Sequence, residues 1–420
     1  MSFFKRIQFA DSSNIDAFGR LRVSNPITLF DSQLQYSNRT WSSSLYDIWE
    51  ETLNGAGSVV THLPNESACN LTVGTVSGEK TVRQQHIYNR YQPGKSQLMY
   101  MTGVMTPKTN VRQRIGYFDS NDGIFFESTS TTGFNFVLRT STSGSVSDAN
   151  SVAKASWNID TFDGSGPSGI TIDFTKAQIW FADIEWLSVG RVRCGFVIDG
   201  LLHYAHSFNN ANNLSIPYMK TANLPCRYEI ENTGTSASTT SFKQICSSII
   251  SEGGFEIERG EAATAYNDGT AVTVDTTIRP VLCIRPKTTF NSINNTGFIE
   301  PMEVHVSTVT NDVDWFVYLN PTFTGGAHSW VSAGSTKIME YDITRTGTAV
   351  TLSNGSIEMS GESVAAGGSA ARNISKDVFQ NRLLLGNNIN FTSSDIFVVA
   401  AKSRTGSASV RAVVDCREFR

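Results

Sequence analysis

Beyond about residue 56 the chain reads as strand after strand: short runs of alternating apolar and polar positions, each closed by Gly, Asn, Asp or Pro. Stretches with a helical period are short, the best being Ala370 to Phe379 and Ser44 to Glu51. The clearest pattern lies at 178–208. In QIWFADIEW, Trp180, Ala182, Ile184 and Trp186 share one face, while Phe181, Asp183 and Glu185 share the other. In RVRCGFVI, Val192, Cys194, Phe196 and Ile198 share a face against Arg191, Arg193 and Asp199. Matching the apolar faces predicts a hairpin with Trp186 opposite Val192, Ile184 opposite Cys194 and Glu185 opposite Arg193. Its loop would be Ser188-Val189-Gly190. Asp199-Gly200 is the next hairpin signal, and Asp119 to Gly123 (DSNDG) is another turn.

Antiparallel strands of this length, with such turns, predict an all-β protein. We expect an extended arm at residues 1–55 and a jelly-roll-like β-sandwich at 56–252. A second β-sandwich follows at 253–420, with Ser251-Glu252-Gly253-Gly254 at the boundary. Within the arm, Leu21 and Val23 alternate with Arg20, Arg22 and Ser24, and Asn25-Pro26 forces an extended or turned backbone. Such an arm suits a neighbouring subunit. The candidate interface residues are Phe18, Arg20, Leu21, Arg22, Leu29 and Phe30.

Composition supports this picture. Charged residues make up 17% of the chain, so Ser, Thr, Asn and Gly must dress much of the surface. The net charge is −4 and no basic stripe occurs, which argues against nucleic acid as a partner. No run approaches the ~20 apolar residues of a membrane span, and MSFFKRIQF is too short for a signal peptide. The six cysteines show no CxxC and no regular spacing, so neither a zinc site nor a disulfide framework is expected. Cys194 and Cys283 read as small buried hydrophobes.

The segment Asp16 to Asp31, DAFGRLRVSNPITLFD, resembles one near the start of many virion structural proteins of tailed bacteriophages. RYQPGKSQLMYMTGV (Arg90 to Val104), RIGYFDSNDGIFFE (Arg114 to Glu127), EWLSVGRVRCGFVIDG (Glu185 to Gly200) and LPCRYEIENTG (Leu224 to Gly234) agree with that family. The resemblance fades past about residue 250. It implies a particle component, made in the host bacterial cytoplasm, whose partners are other virion proteins and copies of itself. A tail, neck or appendage role is the expectation. The rival readings are a head-decoration protein and a receptor-binding or glycan-cleaving tailspike or fibre, with host surface glycan as partner.

No stretch carries a strong catalytic signature, and no cofactor is expected. Pro93-Gly94-Lys95-Ser96 resembles the end of a phosphate-binding loop, but residue 89 is Asn where the first glycine belongs. Asp119, Asn121 and Asp122 fail calcium-loop spacing by one residue. His203 and His206, three apart on a strand, should face opposite ways and make poor metal co-ligands. Asp183 and Glu185 stand about 7 Å apart on one strand face, as a glycan-cleaving pair could. Arg193 would hold Glu185 ionised, and Glu229 with Glu231 form a similar pair, so we expect a chain that is not an enzyme. Trp315, Trp330 and Tyr341 are the best candidates for stacking on a sugar.

Overall fold

The computed structural model describes residues 16, 25–41, 48–256, 260–267, 269–308, 310–365, 369–373 and 383–420. Among them there is no α-helix, only strands, turns and two short 3₁₀ turns. None of the described helical segments is long and apolar enough to cross a membrane. Of the two stretches with a helical period, Trp49–Asn54 and Ser369–Asn373 are strands, and 44–47 and 374–379 lie outside the described residues. The chain forms two compact units of antiparallel sheets, each a sandwich of the jelly-roll class.

The first unit holds an eight-stranded and a seven-stranded sheet. In the eight-stranded sheet Leu201–Phe208, Val192–Ile198, Gln178–Ile184, Gln97–Val104, Thr240–Ser251, Ala68–Val73 and Val59–Leu63 follow one another side by side. In the seven-stranded sheet the order is Ser147–Ala153, Phe134–Thr140, Gly123–Ser128, Val111–Phe118, Cys226–Asn232, Lys80–Gln85 and Trp49–Asn54. The inner faces meet over an aromatic core. Phe196 packs against Phe126 at 5.3 Å, Phe174 at 5.5 Å, Phe162 at 5.7 Å and Phe136 at 6.0 Å between ring centroids. Burying each such ring contributes about 1.5–3 kcal/mol, so this cluster dominates the unit's packing.

Within the stretch expected as an extended arm, Ile27–Ser32 and Trp49–Asn54 are strands in the sheets of their own chain. Ile27–Ser32 adds a strand to Thr240–Ser251, and Trp49–Asn54 closes the seven-stranded sheet on Lys80–Gln85. Phe30, 8% exposed, meets the fully buried Trp49 edge-on at 5.5 Å, and Leu34 is buried too. Those rings are apolar enough to dock, and the nearest apolar surface is their own core.

The hairpin at 178–198 keeps the expected faces but slides by two residues. Asp183 pairs with Arg193 and Ile184 with Val192, so the loop lengthens and is closed by the Glu185 N–H donating to Arg191 O at 3.1 Å. A slide of two preserves which side chains face the core, so hydrophobic matching could not separate the two registers. Trp186 leaves the strand. Its ring meets Tyr91 edge-on at 5.8 Å, and its Nε1 donates to Met219 O. Trp180 is buried, as its face requires. Asp199 and Gly200 both have positive φ (52° and 78°), the mirror-image turn that Asp-Gly favours.

The second unit collects residues 39–48, 86–88 and 257–420. Its five-stranded sheet runs Glu261–Tyr266, Ala408–Phe419, Phe298–Thr308 and Ser369–Asn373, with Val272–Val274 also on Ala408–Phe419. Its six-stranded sheet runs Val331–Ser332, Met339–Asp342, Arg279–Pro286, Phe397–Ser403, Val313–Leu319 and Ser356–Ser363. Period-2 burial is cleanest in Ala408–Phe419, where Ala408, Val410, Ala412, Val414 and Cys416 point into the core. Trp41 stacks on His86 at 4.0 Å, and both donate to the buried Asp395 carboxylate, at 3.1 and 2.6 Å.

Candidate functional site

The first unit carries an open cleft of about 580 Å³, within the usual range for a small-ligand site. Three local structures build it. The turn after Gly123–Ser128 is closed by the Thr129 N–H donating to Gly133 O at 2.8 Å, and the Ser130 hydroxyl accepts from Gly133 N. That turn leaves Thr131 and Thr132 exposed at its tip. The 3₁₀ turn Lys154–Ser156 adds Lys154 to the lining. The segment 172–175 supplies Ile172, Asp173, Phe174 and Thr175. Phe134, half-buried, packs on Phe174 at 4.3 Å, and Phe174 continues to Phe126 in the core. One wall is therefore a ring held rigid by the aromatic core. The rest combines the apolar Pro107 and Ile172 with threonine hydroxyls, one ammonium and one carboxylate.

Asp173 is oriented before any ligand arrives. Its Oδ1 accepts from the Thr175 hydroxyl at 2.6 Å and the Thr175 N–H at 2.9 Å. The hydroxyl contact, with the N–H bond, holds its carboxyl below the ordinary range, so it presents as an anion. Nothing in a local motif marks this cleft in the sequence. Its residues come from separate stretches, and the one local signal is the polar run Thr129 to Gly133 between two apolar strands.

The acid pairs singled out from the sequence have other surroundings. Asp183 is fully buried and ion-pairs with Arg193, which lies opposite it; Glu185 sits in the lengthened loop, half-buried. The residue opposite Arg193 is therefore Asp183, two positions before the expected Glu185. Glu229 is also buried, on the outer face of the seven-stranded sheet, where register sets it opposite Arg114 and Arg114 opposite Glu127. Burial would raise the Glu229 carboxyl, but Arg227, Lys80 and Arg114 outweigh it and hold it well below the usual carboxylate range. Glu231 binds Arg112 at 2.7 Å. This face is a lattice of alternating charges, with Arg114 and Arg139 also lying over the Phe125 ring.

The remaining candidates fall into place. Pro93 to Ser96 is a turn, closed by the Lys95 N–H donating to Gln92 O, that feeds Gln97–Val104; no helix follows. In the Asp119 turn, Asp119 Oδ1 accepts from Asn121 N and Asp122 N, and Asp122 accepts from Ser141 and Lys220 N, so hydrogen bonds occupy the carboxylates. His203 and His206 share a face: a bulge between Cys194 and Gly195 leaves His203 opposite Phe196 and His206 opposite Cys194. His206 Nδ1 accepts from the Asn158 N–H at 3.2 Å, and burial lowers its pKa to about 4. Trp315 is 1% exposed in the core. Trp330 is half-buried, stacked on His328 at 4.7 Å with Arg285 lying 4.2 Å from its ring centre, and Tyr341 packs partly buried against the core. Cys194 and Cys283 are buried, which pushes both thiols up.

Of the expected interface residues, Phe18, Arg20, Leu21 and Arg22 lie outside the described residues. Leu29 is half-buried and Phe30 buried within the first unit.

No protein-family model matches the chain, and no curated protein matches it. Solved structures similar to it include a sialidase, at TM-score 0.33 and 9% identity over 52% of this chain and 18% of that one. The Bacillus licheniformis β-glucanase matches at TM-score 0.33 and 11% identity, covering 53% of this chain and 97% of that one. The carbohydrate esterase of the Shiga toxin-encoding bacteriophage phi24B matches at TM-score 0.32 and 10% identity, covering 54% and 99%. The chain thus spans under a fifth of the sialidase and nearly all of the other two. The expectation of a chain without enzymatic activity is corrected here: glycan-cleaving enzymes stand among the similar structures, and inactivity is no longer a property to assign to it. At these TM-scores the likeness assigns no activity, substrate or site residue to this chain.

Proposed function

We propose that this chain is a glycan-engaging component of a tailed-bacteriophage particle, and that the cleft beside Phe134 and Lys154 is where the sugar docks. The cleft is the observation that carries the ligand class. It pairs a ring anchored by the core with exposed hydroxyls and one charge of each sign. A pyranose has the matching chemistry, an apolar C–H face that stacks on a ring and a rim of hydroxyls that exchange hydrogen bonds. The particle context is supported by the resemblance of Asp16 to Asp31 and the agreeing segments up to Gly234. Assembly with copies of itself and with other particle proteins through the amino-terminal segment belongs to the same proposal.

Titration calorimetry of the full chain with fragments of host surface polysaccharide tests the glycan reading. Saturable binding is expected, and Phe134→Ala should weaken it about tenfold, the loss of one ring contact. Absence of binding, or equal binding by the variant, overturns the cleft assignment. The same mixtures, read for new reducing ends, report whether bound glycan is also cut. Antibody labelling of intact particles tests the location; unlabelled particles would overturn that part.

A further inference from the structure

We propose that Glu303, His305 and Asp415 form a binding site for a divalent transition metal of zinc type, on the exposed face of the five-stranded sheet. Register brings them together. Glu303 and His305 are two apart on Phe298–Thr308 and so share a face, and Asp415 on Ala408–Phe419 lies directly opposite Glu303. The pairing depends on a bulge between Pro301 and Glu303. A regular ladder would set Met302 opposite Asp415 and turn Glu303 towards the core.

The distances fit a metal site as well as an ionic cluster. His305 Nε2 stands 3.5 Å from a Glu303 oxygen and 3.8 Å from an Asp415 oxygen, and all three donor atoms lie within 4.8 Å of one another. Those separations are at or beyond the limit of a good hydrogen bond. They suit the edges of a zinc tetrahedron, about 3.4 Å for ligand bonds of about 2.1 Å. Asp415 is already aimed: its other oxygen, Oδ1, accepts from the Thr264 hydroxyl at 2.7 Å. Charge adds an independent argument. Among the described residues, the ion pairs of Glu303 and Asp415 are those with His305 alone, and no Lys or Arg neutralises the pair. A divalent cation supplies the missing charge. The imidazole selects zinc-like ions over calcium or magnesium, which prefer oxygen donors. Three protein ligands on a half-exposed face leave a fourth position for water or a ligand oxygen.

The test is competition of the full chain with a chromogenic zinc chelator. One zinc per chain is expected. His305→Ala and Glu303→Gln should each weaken it at least about tenfold, with unchanged far-ultraviolet circular dichroism, and excess calcium should not displace it. No zinc retained against the chelator would overturn the site. So would equal binding by both variants, which would point to other histidines or the exposed Cys246 thiol.

Discussion

Gly361 lies opposite Trp315 in the second unit, and a Cβ added there would stand 2.5 Å from Trp315 Cζ2. The indole is walled in by the core and has no room to retreat. Gly361→Ala should therefore lower unfolding stability by about 1–3 kcal/mol, read by denaturant titration. His206 gives a prediction in pH. Burial lowers its folded pKa to about 4, below the ordinary histidine value of about 6.5, so the unfolded chain takes up the proton first as pH falls. Its contribution is complete above about pH 6.5 and lost progressively towards about pH 4. His206→Asn keeps an acceptor near the Nδ1 position and removes the titration. It should flatten the rise in melting temperature between about pH 4.5 and 7; an unchanged slope would exclude His206 as its source.

At the scale of the element, Ile27–Ser32 is the strand whose role can be separated by experiment. Phe30→Ala should cost about 3 kcal/mol, since it removes a buried ring beside Trp49. The loss should be the same at every protein concentration. A concentration-dependent loss would show that Phe30 works between subunits. Much at this scale was legible in the residues. The Asp-Gly turn at 199–200 and the faces of the 178–198 hairpin follow from turn chemistry and period-2 alternation. The register of that hairpin did not, because sliding by two leaves every apolar face unchanged. The faces of His203 and His206 did not either. A bulge adds one residue to the count, and no residue type between them announces it.

Over the whole molecule, alternation and low charge content sufficed for an all-β chain of sandwiches, while the sites stayed hidden. The cleft needs Phe134, Lys154 and Asp173 brought together by three loops, and the Glu303 group needs a strand pairing about 110 residues away in sequence. The charged lattice around Glu229 has consequences for the fold's response to acid. With its folded pKa depressed, Glu229 stabilises the first unit above about pH 4.5, and that contribution fades as pH falls further. Glu229→Gln should destabilise the unit by about 3–5 kcal/mol near neutral pH, because it leaves buried arginines unbalanced. Calorimetry should show the variant's deficit shrinking at acid pH; a constant deficit would mean the charge is not its cause. A last consequence follows from Asp395, whose carboxylate accepts from His86, Trp41, Asn320 and the Gly386 N–H. Trp41 and His86 leave the ribosome 354 and 309 residues before it. Both early segments must wait, unpaired with that carboxylate, until almost the entire polypeptide has been synthesised. A nonsense codon between His86 and Asp395 would strand them, and a gene fragment starting at 257 would lack them, so the second unit has no cloning boundary that a single cut can supply.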